Sequence, residues 1–147
     1  MYWNGRPSVA EFKADELLYF RYGLDEFIDG RLVSAAIHFP RVSVNRSTLS
    51  EPQDVLFDEN GAYRGLGVIE FRVSDVPNEI DGENNSAFVF TINHVPEELN
   101  YSHSEVWSTR APGSSELKEP SKSVKLKFRI ALSGKARISI VAVRNRR

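Results

Sequence analysis

The sequence predicts an α+β fold: a single domain over residues 1–147, dominated by an antiparallel or mixed β-sheet of about six strands, with one or two short helices and a C-terminal β-hairpin. Three observations carry this reading. Apolar and polar residues alternate at period two in GLGVIEFRVSDVP (65–77), SAFVFTINHV (86–95) and SVKLKFRIAL (123–132), the signature of half-buried strands. Turn-forming clusters rich in Asp, Asn, Gly and Pro separate these runs. Helix-start signals are few and lead into short stretches only.

In chain order, Ser8 with Glu11 three residues on forms a capping box that could open a helix, before LLYFRYG (17–23) turns aromatic and reads as a strand or a helix end closed by Gly23. Asp29-Gly30, between EFI and RLVSAAIHF, marks a tight hairpin, because a type I′ turn needs positive φ at both central residues. Pro40 ends that second strand, and RVSVNRS (41–47) follows as extended chain. A second capping box runs from Ser50 to Gln53, with Pro52 early in the first turn, where its missing N–H costs nothing. Its helix must be short, since Asp58-Glu59-Asn60-Gly61 is turn chemistry.

Residues 78–85 then read as a polar loop between two strands, and Tyr101 to Arg110 as a further strand. A long loop, 111–123, leads to the last alternating run. There Val124, Leu126, Phe128, Ile130 and Leu132 fall on one side of a strand and Lys125, Lys127 and Arg129 on the other. Ser133 to Ala136 turns this strand back into RISIVAV, completing the expected hairpin.

Composition narrows the function classes. The 147 residues are 41% hydrophobic and 27% charged, enough apolar material for a core. No apolar run approaches the ~18 residues of a membrane helix, and the first residues carry no secretory pattern, so a cytoplasmic protein without membrane contact is expected. The absence of cysteine excludes disulfides, thiolate metal sites and a Cys nucleophile. The formal charge of −1 hides an asymmetry. Residues 1–117 hold 9 basic and 19 acidic side chains, a net of −10, and residues 118–147 hold 10 basic and 1 acidic, a net of +9. Such a basic terminus fits a polyanion, most often nucleic acid, held by Lys125, Lys127, Arg129 and Arg137. The alternative is that it packs on the acidic body of its own domain.

The sequence lacks the P-loop, Rossmann, zincin and nucleophile-elbow motifs. Its chemistry is carried instead by NYSHSEV (100–106), where His103 and Glu105, two apart on a strand, leave the same face. With His94 from the preceding strand they supply two imidazoles and a carboxylate. Such a set could hold a metal or act as base and acid in metal-independent RNA cleavage.

Arg21 in LLYFRYG, Ser43 or Ser47 in SVNRS, and Glu105 in SHSEV occur in an order that resembles the small ADP-ribosyltransferase-like toxin folds. The resemblance implies NAD as cofactor. Arg21 would grip its phosphates, Ser43 or Ser47 would position the nicotinamide ribose, and Glu105 would stabilise the cationic ribose of the transition state. Two residues before that Glu the family often carries Gln or Glu, which directs transfer to protein. Here His103 stands there, to orient the acceptor, and a nucleic-acid or other non-protein acceptor suits the basic terminus better. Three functions follow as expectations: an NAD-dependent, toxin-like transferase acting on a nucleotide or nucleic acid, a ribonuclease-like effector, or a non-catalytic module binding nucleic acid or an acidic protein. A toxic effector would also call for a neutralising partner protein.

Overall fold

Seven antiparallel strands form one sheet. A computed structural model describes residues 2–3, 6–7, 11–57, 67–82, 87–110 and 116–142. The strands are β1 (Tyr2–Trp3), β2 (Arg6–Pro7), β3 (Leu17–Tyr22), β4 (Phe27–Ile28), β5 (Arg31–Leu32), β6 (Arg41–Arg46), β7 (Gly67–Arg72), β8 (Glu79–Ile80), β9 (Phe88–His94), β10 (His103–Thr109) and β11 (Arg137–Ile140), with one α-helix, α1 (Lys122–Ser133). The main sheet runs β11-β7-β3-β6-β10-β9-β8, while β1–β2 and β4–β5 are separate two-stranded ladders. No helix among the described residues is long and apolar enough to cross a membrane. The α+β class and its antiparallel sheet therefore stand as the sequence predicts.

The C-terminal hairpin does not. SVKLKFRIAL is the core of α1, and β11 pairs with β7 rather than with that segment. The physical reason lies in the pattern itself, because a period-two run contains a period-four stripe. Val124, Phe128 and Leu132 are i, i+4 neighbours on one helical face and are 0%, 0% and 1% exposed, whereas Leu126 and Ile130 stand 46% and 49% exposed on the opposite side. Leu, Lys, Arg and Ala favour helix, and the run is long for a strand. Lys125, Lys127 and Arg129 therefore do not share one strand face. Lys125 pairs with Glu119 at 2.7 Å, Lys127 donates to the Asp81 carbonyl, and Arg129 donates to the Leu32 carbonyl. Two of the three thus fasten α1 to the body of its own fold.

The N-terminal helix is also absent as far as it is described: residues 11–16 are not helical, and LLYFRY is β3. Asp29 and Gly30 have φ of 52° and 75°, as the expected turn requires, but the hairpin strands are two residues each. Leu32 is fastened to the helix, its N–H donating to Ser133 Oγ and its carbonyl accepting from Arg129, while Val33 N–H still donates back to the Glu26 carbonyl. A 3₁₀ turn over Ser34–Ala36 and a cis Phe39–Pro40 bond then lead into β6. The second capping box forms one residue later than expected: the Glu51 N–H donates to Asp54 Oδ2 at the start of a 3₁₀ turn, Pro52–Leu56. The turns expected at 58–61 and part of those at 78–85 and 111–123, and the terminal RNRR, lie outside the described residues.

On the α1 side of the sheet, Leu18, Phe20, Val42, Val44, Ile69, Phe71, Phe88, Phe90 and Val106 form the main core with Val124, Phe128 and Leu132. Phe128 meets Phe39 edge-on at 5.1 Å and Phe90 at 4.8 Å between ring centroids. On the other side, the 3₁₀ turn lays Val55 and Leu56 over Tyr19 and Val68. Gly67 is demanded by Tyr22, whose ring occupies the place of a Cβ; the Tyr22 hydroxyl also accepts from Ala142 N–H and donates to the Ile140 carbonyl.

At the end of β6, Arg46 and Glu16 form a bidentate pair at 2.8 and 2.9 Å, with side chains 2% and 3% exposed. Thr48 donates to the same carboxylate, and Phe12 stacks 3.9 Å from the guanidinium. Burial alone would raise the Glu16 pKa; the hydrogen bonds and charge of Arg46, with Thr48, outweigh it and hold the carboxyl below its usual 4.5. Removing one partner strands the other charge in the core. Arg46→Ala or Glu16→Ala is expected to lower unfolding free energy by about 3–5 kcal/mol in urea titrations. In the parent, the carboxylate's contribution is present above pH 4.5 and is lost as pH falls through the depressed folded value, a loss absent from Glu16→Ala.

Candidate functional site

The face opposite α1 is where the sheet carries polar side chains in ordered rows. β10 pairs with β6 so that Glu105 stands opposite Ser43, His103 opposite Asn45, and Trp107 opposite Arg41. The alternation in RVSVN explains the sorting: Val42 and Val44 enter the core, leaving Arg41, Ser43 and Asn45 on the other side. The β3–β6 ladder holds only at Leu18↔Arg46 and Tyr19↔Asn45, although β3 continues to Tyr22. Beyond those pairs the two strands part. A cleft of about 420 Å³ opens there, lined by Arg21, His38, Arg41, Ser43, Asn45 and His103 among others.

His103 is held from both sides of its ring. Nδ1 lies 2.8 Å from the Val95 carbonyl, and since a carbonyl only accepts, Nδ1 carries the proton of the neutral ring. Nε2 is left as the acceptor and faces Ser43 Oγ at 3.3 Å. Two carboxylates flank the imidazole, Glu97 at 3.9 Å from Nδ1 and Glu105 at 3.9 Å from Nε2. Glu105 is 8% exposed and lies beside the cleft rather than on its wall. Its Oε1 accepts from Trp107 Nε1–H at 2.8 Å and lies 3.9 Å from Arg41, which fixes the carboxylate and leaves Oε2 directed to His103.

The loop between β9 and β10 is stitched to β6 by amides. Asn100 Nδ2–H donates to Asn45 Oδ1 at 2.7 Å, Ser102 donates to Asn100 Oδ1 at 2.6 Å, and Arg46 N–H donates to the Ser102 carbonyl. The Asn45 amide nitrogen is buried with no hydrogen-bond partner among the described residues.

The structure thus brings Arg21, Ser43 and His103 into one cleft, with Glu105 against it. Ser47 is engaged elsewhere: its hydroxyl accepts the Leu17 N–H, and its own N–H donates to the Leu17 carbonyl. His94 is separated from the group. It pairs with Ser104, so its side chain leaves the opposite face from His103 and Glu105. No set of three metal-ligating side chains converges among the described residues. Arg41, Asn45 and Glu97 were missed by sequence reasoning, and nothing in the sequence placed His38 near the group. The alternation of 41, 43 and 45 could have found two of them, whereas His38 and Glu97 arrive from connecting segments. A larger cavity, about 550 Å³, opens near Phe12, Phe90 and His94, but its buried charge, Arg46, is already paired with Glu16.

No family model, curated protein or solved structure matches the chain.

Burial lowers the His94 pKa below 6.5, more than the hydrogen bond from its ring to the Tyr101 carbonyl at 2.6 Å raises it. The unfolded ring therefore binds a proton at higher pH than the folded one. The contribution of the neutral ring is complete above 6.5 and declines as pH falls below it. The urea midpoint is expected to drop from about pH 7.5 to about pH 5.5, with a shallower drop in His94→Gln.

Proposed function

We propose that this chain is an enzyme acting on a nucleotide, and that its reaction is ADP-ribosyl transfer from NAD. The observation that supports this reading is the convergence of Arg21, Ser43 and Glu105. They come from three distant stretches of chain, yet they occupy the consecutive strands β3, β6 and β10, with Glu105 and Ser43 directly paired. The cleft offers the donor set a diphosphate needs, two guanidinium groups at Arg21 and Arg41. Ser43 is placed to hydrogen-bond a ribose hydroxyl. Glu105, fixed by Trp107 against the cleft, would stabilise the positive charge that develops on the ribose. His103, with Nδ1 held by the Val95 carbonyl and Nε2 turned to the cleft, can take a proton from the acceptor.

Proton NMR of the protein with NAD is expected to show free nicotinamide. Glu105→Gln, which keeps the Trp107 hydrogen bond, is expected to slow release by at least about 100-fold without moving the urea midpoint, and Arg21→Ala to raise KM. Intact NAD with folded protein overturns the reading.

The locked tautomer of His103 favours a second reading, cleavage of an RNA phosphodiester. In that reading His103 acts without His94, and Glu105 is its partner. RNA shortened in the same tube while NAD survives would select it. Binding of nucleic acid through the basic terminus is the non-catalytic alternative. Of the four cations expected to serve it, Arg137 is exposed on β11, while Lys125, Lys127 and Arg129 also hold contacts within the fold.

A further inference from the structure

We propose that Ser43 is an activated nucleophile and that the cleft transfers the phosphoryl group of a phosphate ester through it. This goes beyond the NAD reading and does not depend on it; the two share the cleft, its arginines, Ser43, His103 and Glu105, but give Ser43 and His103 different roles.

A serine hydroxyl attacks well only when a base removes its proton and that base is held in one tautomer. Both conditions are met around Ser43. Ser43 is an exposed residue of β6, and its hydroxyl donates to His103 Nε2 at 3.3 Å, a length usual for such bonds before substrate tightens them. The Val95 carbonyl pins the other ring nitrogen at 2.8 Å, in the orienting position of a third group. The positive charge that reaches the ring on proton transfer falls between Glu97 and Glu105, each 3.9 Å away.

The electrophile is indicated by the cleft wall. Arg21 and Arg41 line it, and two guanidiniums in one cleft select a phosphate rather than a neutral carboxylic ester. Asn45 stands two residues after Ser43 on the same face, its carbonyl fixed by Asn100.

The chemistry balances without a further reagent. Ser43 Oγ attacks phosphorus, its proton passes to His103 Nε2, and the bond to the leaving oxygen breaks. The electron pair departs with that oxygen, which takes the proton back from His103. Water then attacks the phosphoserine, giving its proton to His103. The P–Oγ bond breaks, inorganic phosphate or a phosphomonoester leaves, and the proton returns to Ser43.

The test is labelling of the native full chain with an alkyl fluorophosphonate. Ser43 Oγ displaces fluoride from phosphorus, leaving an adduct that peptide mass spectrometry can locate. One label on Ser43 is expected, with none in Ser43→Ala. Labelling about 100-fold slower is expected in His103→Gln that retains the parent's circular dichroism. No label, a label on another serine, or equal labelling of urea-unfolded protein overturns the proposal. If His103→Gln does not fold, the native protein is labelled in the presence of orthovanadate: protection supports the proposal and no protection overturns it. Turnover of bis(p-nitrophenyl) phosphate is expected, and turnover of p-nitrophenyl acetate alone overturns the phosphoryl assignment. These assays contain no NAD. Failure to release nicotinamide therefore leaves this proposal standing, and failure to label Ser43 leaves the NAD reading standing.

Discussion

The placement of β6 between β3 and β10 is the constraint on which both the core and the cleft depend. A slip of one residue would send Arg41, Ser43 and Asn45 into the core and turn Val42 and Val44 out to the cleft. The register is secured from one end. Arg46, the last residue of β6, is clamped by Glu16, and its backbone N–H is held by the Ser102 carbonyl. The same pairing that buries the valines therefore lines up Ser43 with Glu105 and Asn45 with His103. An ion pair so deeply buried is costly to assemble but far more costly to break, so it specifies one register even where it adds little net stability.

The cleft exists because the β3–β6 ladder is short. Hydrogen bonding ends at Tyr19↔Asn45, and past it β3 follows β7 while β6 follows β10. Parting strands expose backbone and side chains that a continuous ladder would cover. Such a gap is where a β-sheet can admit a ligand between its strands rather than above them. The loop at 97–100 supports one margin, through Asn100 to Asn45 and through Glu97 toward His103. On the α1 side of the sheet, Phe39, Phe90 and Phe128 are in mutual contact.

Charge tells a related story. The acidic body and basic last fifth of the sequence suggest a polyanion, yet α1 uses Lys127 and Arg129 against carbonyls of the body and Lys125 against Glu119. Long basic side chains on an amphipathic helix do this readily, since their stems lie over apolar surface while their heads reach a neighbouring acceptor. The cations that face the cleft, Arg21 and Arg41, come instead from the acidic part of the chain. Net charge by segment is thus a poor guide to where in the fold a phosphate would be met.

Local pattern alone determined much of the sheet. Strict alternation marked β7 and β9, Asp29-Gly30 marked its turn, and His103 with Glu105 fell on one face because a strand has period two. The same pattern misread α1, since Val124, Phe128 and Leu132 satisfy periods of two and of four alike. Only the core, which needed one narrow stripe and left Leu126 and Ile130 to solvent, decided between them. The site divides the same way. Arg21, Ser43, His103 and Glu105 are visible as residue types in sequence, whereas their convergence, the exclusion of His94 and the arrival of Arg41, Asn45 and Glu97 depend on which strands become neighbours. That choice is made by long-range pairing and burial, to which no local stretch of sequence has access.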